Sequence, residues 1–202
     1  MIDMKKDILV LYYSLNGATK NLANMIARGI DSIDGAQARI RTVPPISNNC
    51  EKIADTIVDD GHQYVTLVDL QECYGLALGS PVRFGNMASA LKYFLDSTSH
   101  EWMKGALVNK PACVFTSSSS LHGGQEMTLL SMMIPLLHHG MILMGIPYTE
   151  AELSNTTTGG TPYGVTHVTR NHIITLSDDE KILAFKQGER LAKIVLGLTH
   201  CK

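Results

Sequence analysis

The chain alternates short apolar runs with longer amphipathic ones. Asp7-Ile8-Leu9-Val10-Leu11-Tyr12-Tyr13 is β-prone, bounded by charge before and by Ser14 after, and it predicts a buried strand. A turn of hydroxyl and amide groups, Ser14 to Thr19, follows it. Leu22, Met25, Ile26, Gly29 and Ile30 then recur at helical spacing, and Asp34-Gly35 closes that unit. Gln37 to Val43 alternates small or apolar residues with polar ones, as a less buried strand does, and Pro44-Pro45 stops it. Tyr74 to Gly79 predicts a third strand, closed by Ser80-Pro81, and Ala88, Leu91 and Leu95 suit a helix beginning near Asn86. Pro111 to Phe115 is a fourth strand. Met127, Leu130, Ile134 and Leu137 outline a helix narrowed or kinked at Pro135, and Met141 to Ile146 is a fifth strand. Pro147 to Leu176 is a long loop, after which Ser177-Asp178-Asp179-Glu180 forms an S-x-x-E capping box that opens a helix to about Gly197. Ile46 to Val68 carries no clear pattern.

Strand and helix alternate five times. That order implies the α/β class, a parallel sheet with helices on both faces, because right-handed crossovers put them there. The 23 residues from Met127 to Thr149 carry no Asp, Glu, Lys or Arg and are long enough to span a bilayer. Pro135, His138, His139 and Gly140 interrupt them, so a helix, a turn and a buried strand in succession is the favoured reading, since strands of parallel sheets are continuously apolar.

Composition narrows the function classes. At 202 residues, 45% hydrophobic and 18% charged, the chain suits a globular domain, and 17 basic against 19 acidic side chains leave no electrostatic footprint for nucleic acid. Cys50, Cys73, Cys113 and Cys201 are scattered without a C-x-x-C, which argues against a disulfide framework or a zinc ribbon. The charged Met1 to Asp7 precedes too short an apolar run for a signal peptide, so a reducing, cytoplasmic compartment is expected.

Ligand sites of such sheets lie beyond the carboxyl ends of the strands. Three loops there are rich in hydroxyls and glycine: Ser14-Leu15-Asn16-Gly17-Ala18-Thr19, Ser80-Pro81-Val82-Arg83-Phe84-Gly85-Asn86, and Thr116 to Gly124. The first leads into a helix, whose N-terminal amides can hold an anion. It lacks the lysine of a phosphate-binding G-x-x-x-x-G-K-[ST] loop and the glycines of a dinucleotide turn, so neutral donors would suit a monophosphate. Plain helix capping by Ser14 or Thr19 explains it equally well. No G-x-S-x-G elbow and no H-E-x-x-H is present, and the adjacent His138 and His139 cannot share a helix face as metal ligands. His122, His138 and His139 suit surface or capping roles as readily as a site.

Taken together, these loops resemble the WrbA family of flavodoxin-like NAD(P)H:quinone oxidoreductases. The resemblance runs from about Ile8 to Leu196 and rests on Val10-Leu11-Tyr12-Tyr13-Ser14, Gly79-Ser80-Pro81-Val82-Arg83-Phe84-Gly85-Asn86-Met87, Gly123-Gly124-Gln125-Glu126, Leu137-His138-His139-Gly140-Met141 and Gly159-Gly160-Thr161-Pro162-Tyr163-Gly164. It implies a three-layer sandwich with a five-stranded parallel sheet in the order 2-1-3-4-5, one domain over residues 1–202 with insertions near 46–68, 97–110 and 147–176. It also implies FMN as cofactor, NAD(P)H as donor, a quinone as acceptor and a homotetramer. Carried over, Ser14, Leu15, Asn16, Gly17, Ala18 and Thr19 look like the FMN phosphate loop. Pro81, Val82, Arg83, Phe84, Gly85 and Asn86 look like the loop around the isoalloxazine, and Ser117, Ser118, Ser119, Ser120, Leu121, His122 and Gly123 like the third. His138 matches a histidine supplied by a neighbouring subunit, and Trp102 and Asn16 match the substrate pocket. Two departures stand out: Asn16 replaces an aromatic residue of some members, and the third loop is serine-rich where others are richer in glycine. Arg83 suits the reduced, anionic flavin or the nicotinamide phosphate, or else a surface ion pair, and Trp102 suits either the pocket or a core or interface position. The rival classes are a one-electron flavodoxin carrier, usually far more acidic than this chain, and a regulatory interaction protein.

Overall fold

The computed structural model describes residues 5–47, 62–170 and 173–199. Its sheet is parallel, with β1 (Lys6–Tyr12), β2 (Ala36–Thr42), β3 (Gly75–Pro81), β4 (Pro111–Ser118) and β5 (Ile142–Leu143) in the spatial order β2-β1-β3-β4-β5. The expected topology is therefore the observed one. The alternation of side chains along β1 sorts the core into two halves. Ile8, Val10 and Tyr12 pack against helices α1 (Ala18–Asp31) and α7 (Asp178–Thr199). Leu9 and Leu11 pack against α2 (Leu67–Glu72), α3 (Ser89–Asp96) and α5 (Gln125–His138) on the opposite face, with the short α4 (Ser99–Met103) between α3 and α5 in the chain. Each fully buried Leu or Ile contributes roughly 1.5–3 kcal/mol.

α1 and α7 approach closely through glycine. A Cβ on Gly29 would lie 2.0 Å from Phe185 O, and one on Gly188 would lie 2.0 Å from Ile26 O. No larger residue lets the two backbones meet at that spacing.

Two expectations need correction. The fifth strand pairs over two residues only; Met144 N still reaches Ala112 O at 2.8 Å, but the chain then turns away. Within the expected loop from Pro147 to Leu176 lie the short α6 (Glu152–Asn155) and a sixth strand, β6 (Thr166–Val168), which returns to pair in parallel with Thr116, Ser117 and Ser118 of β4. One edge strand is thus assembled from two segments. Gln187 of α7 bridges the break: its amide donates to Val114 O at 2.9 Å and accepts from Val165 N at 2.7 Å. Its side chain does there what a continuous strand would do.

α5 forms where Met127, Leu130, Ile134 and Leu137 predict it, but these residues are exposed, and Gln125, Thr128, Leu129, Met132 and Leu136 are buried instead. α5 ends at His138, with Gly140 at φ 75, and the strand follows, so the charge-free run is helix, turn and strand. Among the described residues no helix is long and apolar enough to cross a membrane. Cys73 and Cys113 are free, buried thiols, pushed up to about 11 and about 12 by desolvation. Cys50 and Cys201 lie outside the described residues, as does much of the unplaced stretch from Ile46 to Val68.

Candidate functional site

The carboxyl ends of β1, β3 and β4 frame a cavity of about 430 Å3, within the size range of small-molecule sites. From the first loop it is lined by Ser14, Leu15, Asn16, Ala18 and Thr19, from the second by Pro81, Val82, Arg83 and Phe84, and from the third by Ser117, Ser118, Ser119, Ser120 and Gly123. Gly17, Gly85, Asn86, Leu121 and His122 belong to these loops without lining the cavity. Thr169, just after β6, completes it. Thr169 carries no signal in the sequence, because the three residues of β6 are too few to show a period.

The first loop enters α1 through Gly17 at φ 91, a left-handed conformation in which a side chain would be strained. Ser14 Oγ accepts from Gly17 N at 3.1 Å and so shapes the turn. It does not cap the helix. Thr19 is turned away as well, with its hydroxyl 2.8 Å from Ser117 Oγ, locking the first loop to the third. α1 has no side-chain cap and no acidic residue in its first turn. Its free amides and the positive end of its dipole are left for an external anion. Of the two readings of this loop, capping is the one the geometry removes.

The other loops are tied in by short bonds. Val82 N donates to Ser117 O at 2.8 Å, and Thr116 Oγ1 donates to Ser80 O at 2.7 Å. Arg83 and Asn86 exchange backbone bonds at 2.8 and 2.9 Å, which forces the two residues between them into left-handed geometry, Phe84 at φ 51 and Gly85 at φ 75. Phe84 is fully exposed despite its ring. A non-glycine residue held this way costs on the order of 1–3 kcal/mol, and such strain gathers at binding sites. His122 repeats the feature at φ 56 in the third loop. Among the described residues Arg83 makes no ion pair; its guanidinium donates to Val82 O at 2.9 Å.

Behind the first loop, Tyr12 Oη meets His62 Nδ1 at 3.0 Å. Burial raises the Tyr12 phenol, and burial together with Lys20 and Arg41 lowers the His62 imidazole. Behind the third loop His167 of β6 is buried, with Nδ1 2.8 Å from Glu180 Oε2 and Nε2 3.2 Å from Ile173 O. Glu180 also accepts from Ser177 N at 2.8 Å and Gly159 N at 2.9 Å. Burial alone would raise its carboxyl, but these donors hold it below the ordinary range. This knot fixes the returning segment that delivers Thr169.

Trp102 and His138 are not at this cavity. Trp102 Nε1 donates to His138 O at 2.7 Å, and both lie at the far end of α5, which starts at the cavity and runs away from it for about 20 Å.

The residues present fit FMN. Free amides and neutral hydroxyls suit its phosphate, Leu15, Pro81, Val82 and Phe84 suit its ring system, and among the described residues none that lines the cavity is acidic.

Comparisons with known proteins agree with the geometry. Residues 7–152 match the family model described as NADPH-dependent FMN reductase. An NAD(P)H dehydrogenase (quinone) of Syntrophobacter fumaroxidans is 38% identical over 202 residues, covering 96% of this chain and 98% of that one. Another with the same name, from Solidesulfovibrio magneticus, is 36% identical over 93% of this chain and 97% of its own. Among solved structures, a flavodoxin, WrbA-like protein from Agrobacterium tumefaciens superposes with a TM-score of 0.64 at 19% identity, covering 96% of this chain and 99% of that one. Flavodoxin 1 from Bacillus cereus gives 0.58 at 14% identity, covering 93% and 98%. With a flavodoxin-like sheet, loops that fit a flavin phosphate and near-full-length relatives above one-third identity, the chain belongs to the NADPH-dependent FMN reductase family.

Proposed function

We propose that this protein is an FMN-dependent NAD(P)H:quinone oxidoreductase. The observation that carries the reading is the uncapped start of α1, whose amides open onto a hydroxyl-rich cavity lined, among the described residues, by no acidic group. Ser14, Asn16 and Thr19 with the α1 amides hold the phosphate, while Pro81 to Phe84 and Ser117 to Ser120 flank the ring. FMN bound there would supply two-electron chemistry between NAD(P)H and a quinone, in ping-pong order. The chain's own residues bind, orient and exclude water, and no protein nucleophile is required. Phe84, exposed at the cavity mouth, offers an aromatic surface to a flat substrate.

The protein acts as one flavodoxin-like domain in the cytoplasm, as a homotetramer. The exposed stripe Met127, Leu130, Ile134 and Leu137 gives another copy an apolar face to cover. Trp102 and His138, remote from the cavity of their own chain, reach a flavin only in a neighbouring copy, which fits the role the family resemblance assigns them.

Purified protein titrated with FMN should shift the flavin absorption at micromolar concentration. The loaded protein should oxidise NADH or NADPH with benzoquinone well above the rate of free FMN. Turnover no faster than free FMN would defeat the enzyme reading and favour a one-electron carrier.

A further inference from the structure

A second cavity, of about 450 Å3, adjoins the first and shares Arg83 with it. Tyr13, Asn86 and the start of α3 form its other walls, with Ser89, Ala90 and Lys92 facing it. Its charge preference is one-sided. Arg83 and Lys92 line it, and among the described residues none that lines it is acidic. Arg83 commits one guanidinium nitrogen to Val82 O, and further N–H donors of the group remain for a ligand. Lys92 Nζ rests on Asp96 at 2.5 Å, an exposed i,i+4 pair of the weak kind that yields to a stronger anion. The backbone adds donors. Ala88 N is taken by Ser80 Oγ at 2.8 Å, and Leu91 N and Lys92 N return to Ala88 O at 3.0 and 3.1 Å. Between them, the amides of Ser89 and Ala90 have no carbonyl one turn back to bond, and no side chain caps this helix.

We propose that this second cavity binds a phosphate group of the dinucleotide electron donor, with Arg83 between donor and flavin. The inference rests on the reductase reading above. The donor carries phosphate in two places: the pyrophosphate common to NADH and NADPH, and the 2′-phosphate of NADPH alone. Arg83, Lys92, Ser89 and the two amides are the donors for either.

Two variants of the FMN-loaded full chain test it. Lys92→Gln removes one charge from an exposed position. Ser89→Pro removes one amide and one hydroxyl while keeping the helix, because proline suits the first helical position and Ala88 already has the extended φ −63, ψ 143 that precedes it. In steady-state assays with benzoquinone, each should raise the donor KM roughly three- to tenfold, the loss expected for one hydrogen bond to a charged group near the surface, with kcat and the quinone KM unchanged. A rise for NADH and NADPH alike places the pyrophosphate here, and a rise for NADPH alone places the 2′-phosphate; either supports the proposal. Inorganic phosphate titrated calorimetrically into the loaded wild type should bind, and more weakly to Lys92→Gln. Unchanged donor KM values in both variants would overturn the proposal. A loaded wild type that oxidises neither dinucleotide would overturn the reductase reading itself.

Discussion

α1 and α7 lie side by side on one face of the sheet, yet their first turns differ in kind. α7 opens with Ser177, whose Oγ accepts from Glu180 N at 3.2 Å while Glu180 accepts from Ser177 N at 2.8 Å. Asp178, Asp179 and Glu180 fill its first turn with negative charge. α2 is closed in the same way by Thr66 and Asp69. α1 opens on a left-handed glycine with neither cap nor carboxylate, and α3 and α5 also lack side-chain caps. The boxed ends spend their donors on the fold. The open ends of α1 and α3 face cavities at the carboxyl edge and keep their donors for something outside it.

The contrast can be broken first at Glu180. Glu180→Ala strips the partner from His167, Ser177 N and Gly159 N inside the protein, and should cost on the order of 3–5 kcal/mol in denaturant unfolding. A loss below about 1 kcal/mol would mean the knot is ornamental. The same residue sets an acid limit. Its folded carboxyl lies below the ordinary 4.5, so its stabilisation is complete above that value and fades as pH falls through the lower folded value. Urea midpoints followed from pH 6 to pH 3 should therefore drop more steeply in the wild type than in Glu180→Gln. Parallel curves would contradict the linkage.

The open end can be sharpened by giving it a carboxylate. Asn16→Asp should weaken FMN about tenfold or more by fluorescence titration, since two like charges a few ångströms apart repel even near the surface. The same change should stabilise the FMN-free protein by about 0.5 kcal/mol, the ordinary return for an acid at a helix start. Tighter FMN binding would place the phosphate elsewhere. The smallest effect belongs to the box itself: Ser177→Ala should cost about 1 kcal/mol of unfolding free energy and leave FMN affinity unaltered.

Legibility in the sequence followed the same division. The capping box of α7 is readable because both partners sit within four residues. The strand order and the three loops are readable because each parallel strand is a short apolar run closed by small polar residues. That α1 is uncapped is not, since Ser14 and Thr19 both resemble caps until Ser14 is seen turned to Gly17 and Thr19 to Ser117, 98 residues away. That Met127, Leu130, Ile134 and Leu137 face outward on α5 is not readable, because a helix apolar on both sides does not say which side the core takes. β6 and Thr169 escaped because their partners lie on β4 and their support comes from His167, Glu180 and Gln187, all distant in sequence.

The split edge strand has a further consequence. A sheet edge is a row of open amides and carbonyls on which another chain can add, and long flat edges invite aggregation. Here that edge offers two residues of β5 and three of β6, with the chain veering off between them and the inner β4 answered by the Gln187 amide. Neither stub is long enough to template a foreign strand, so the detour that delivers Thr169 to the cavity also shields this edge of the sheet from its neighbours in a crowded solution.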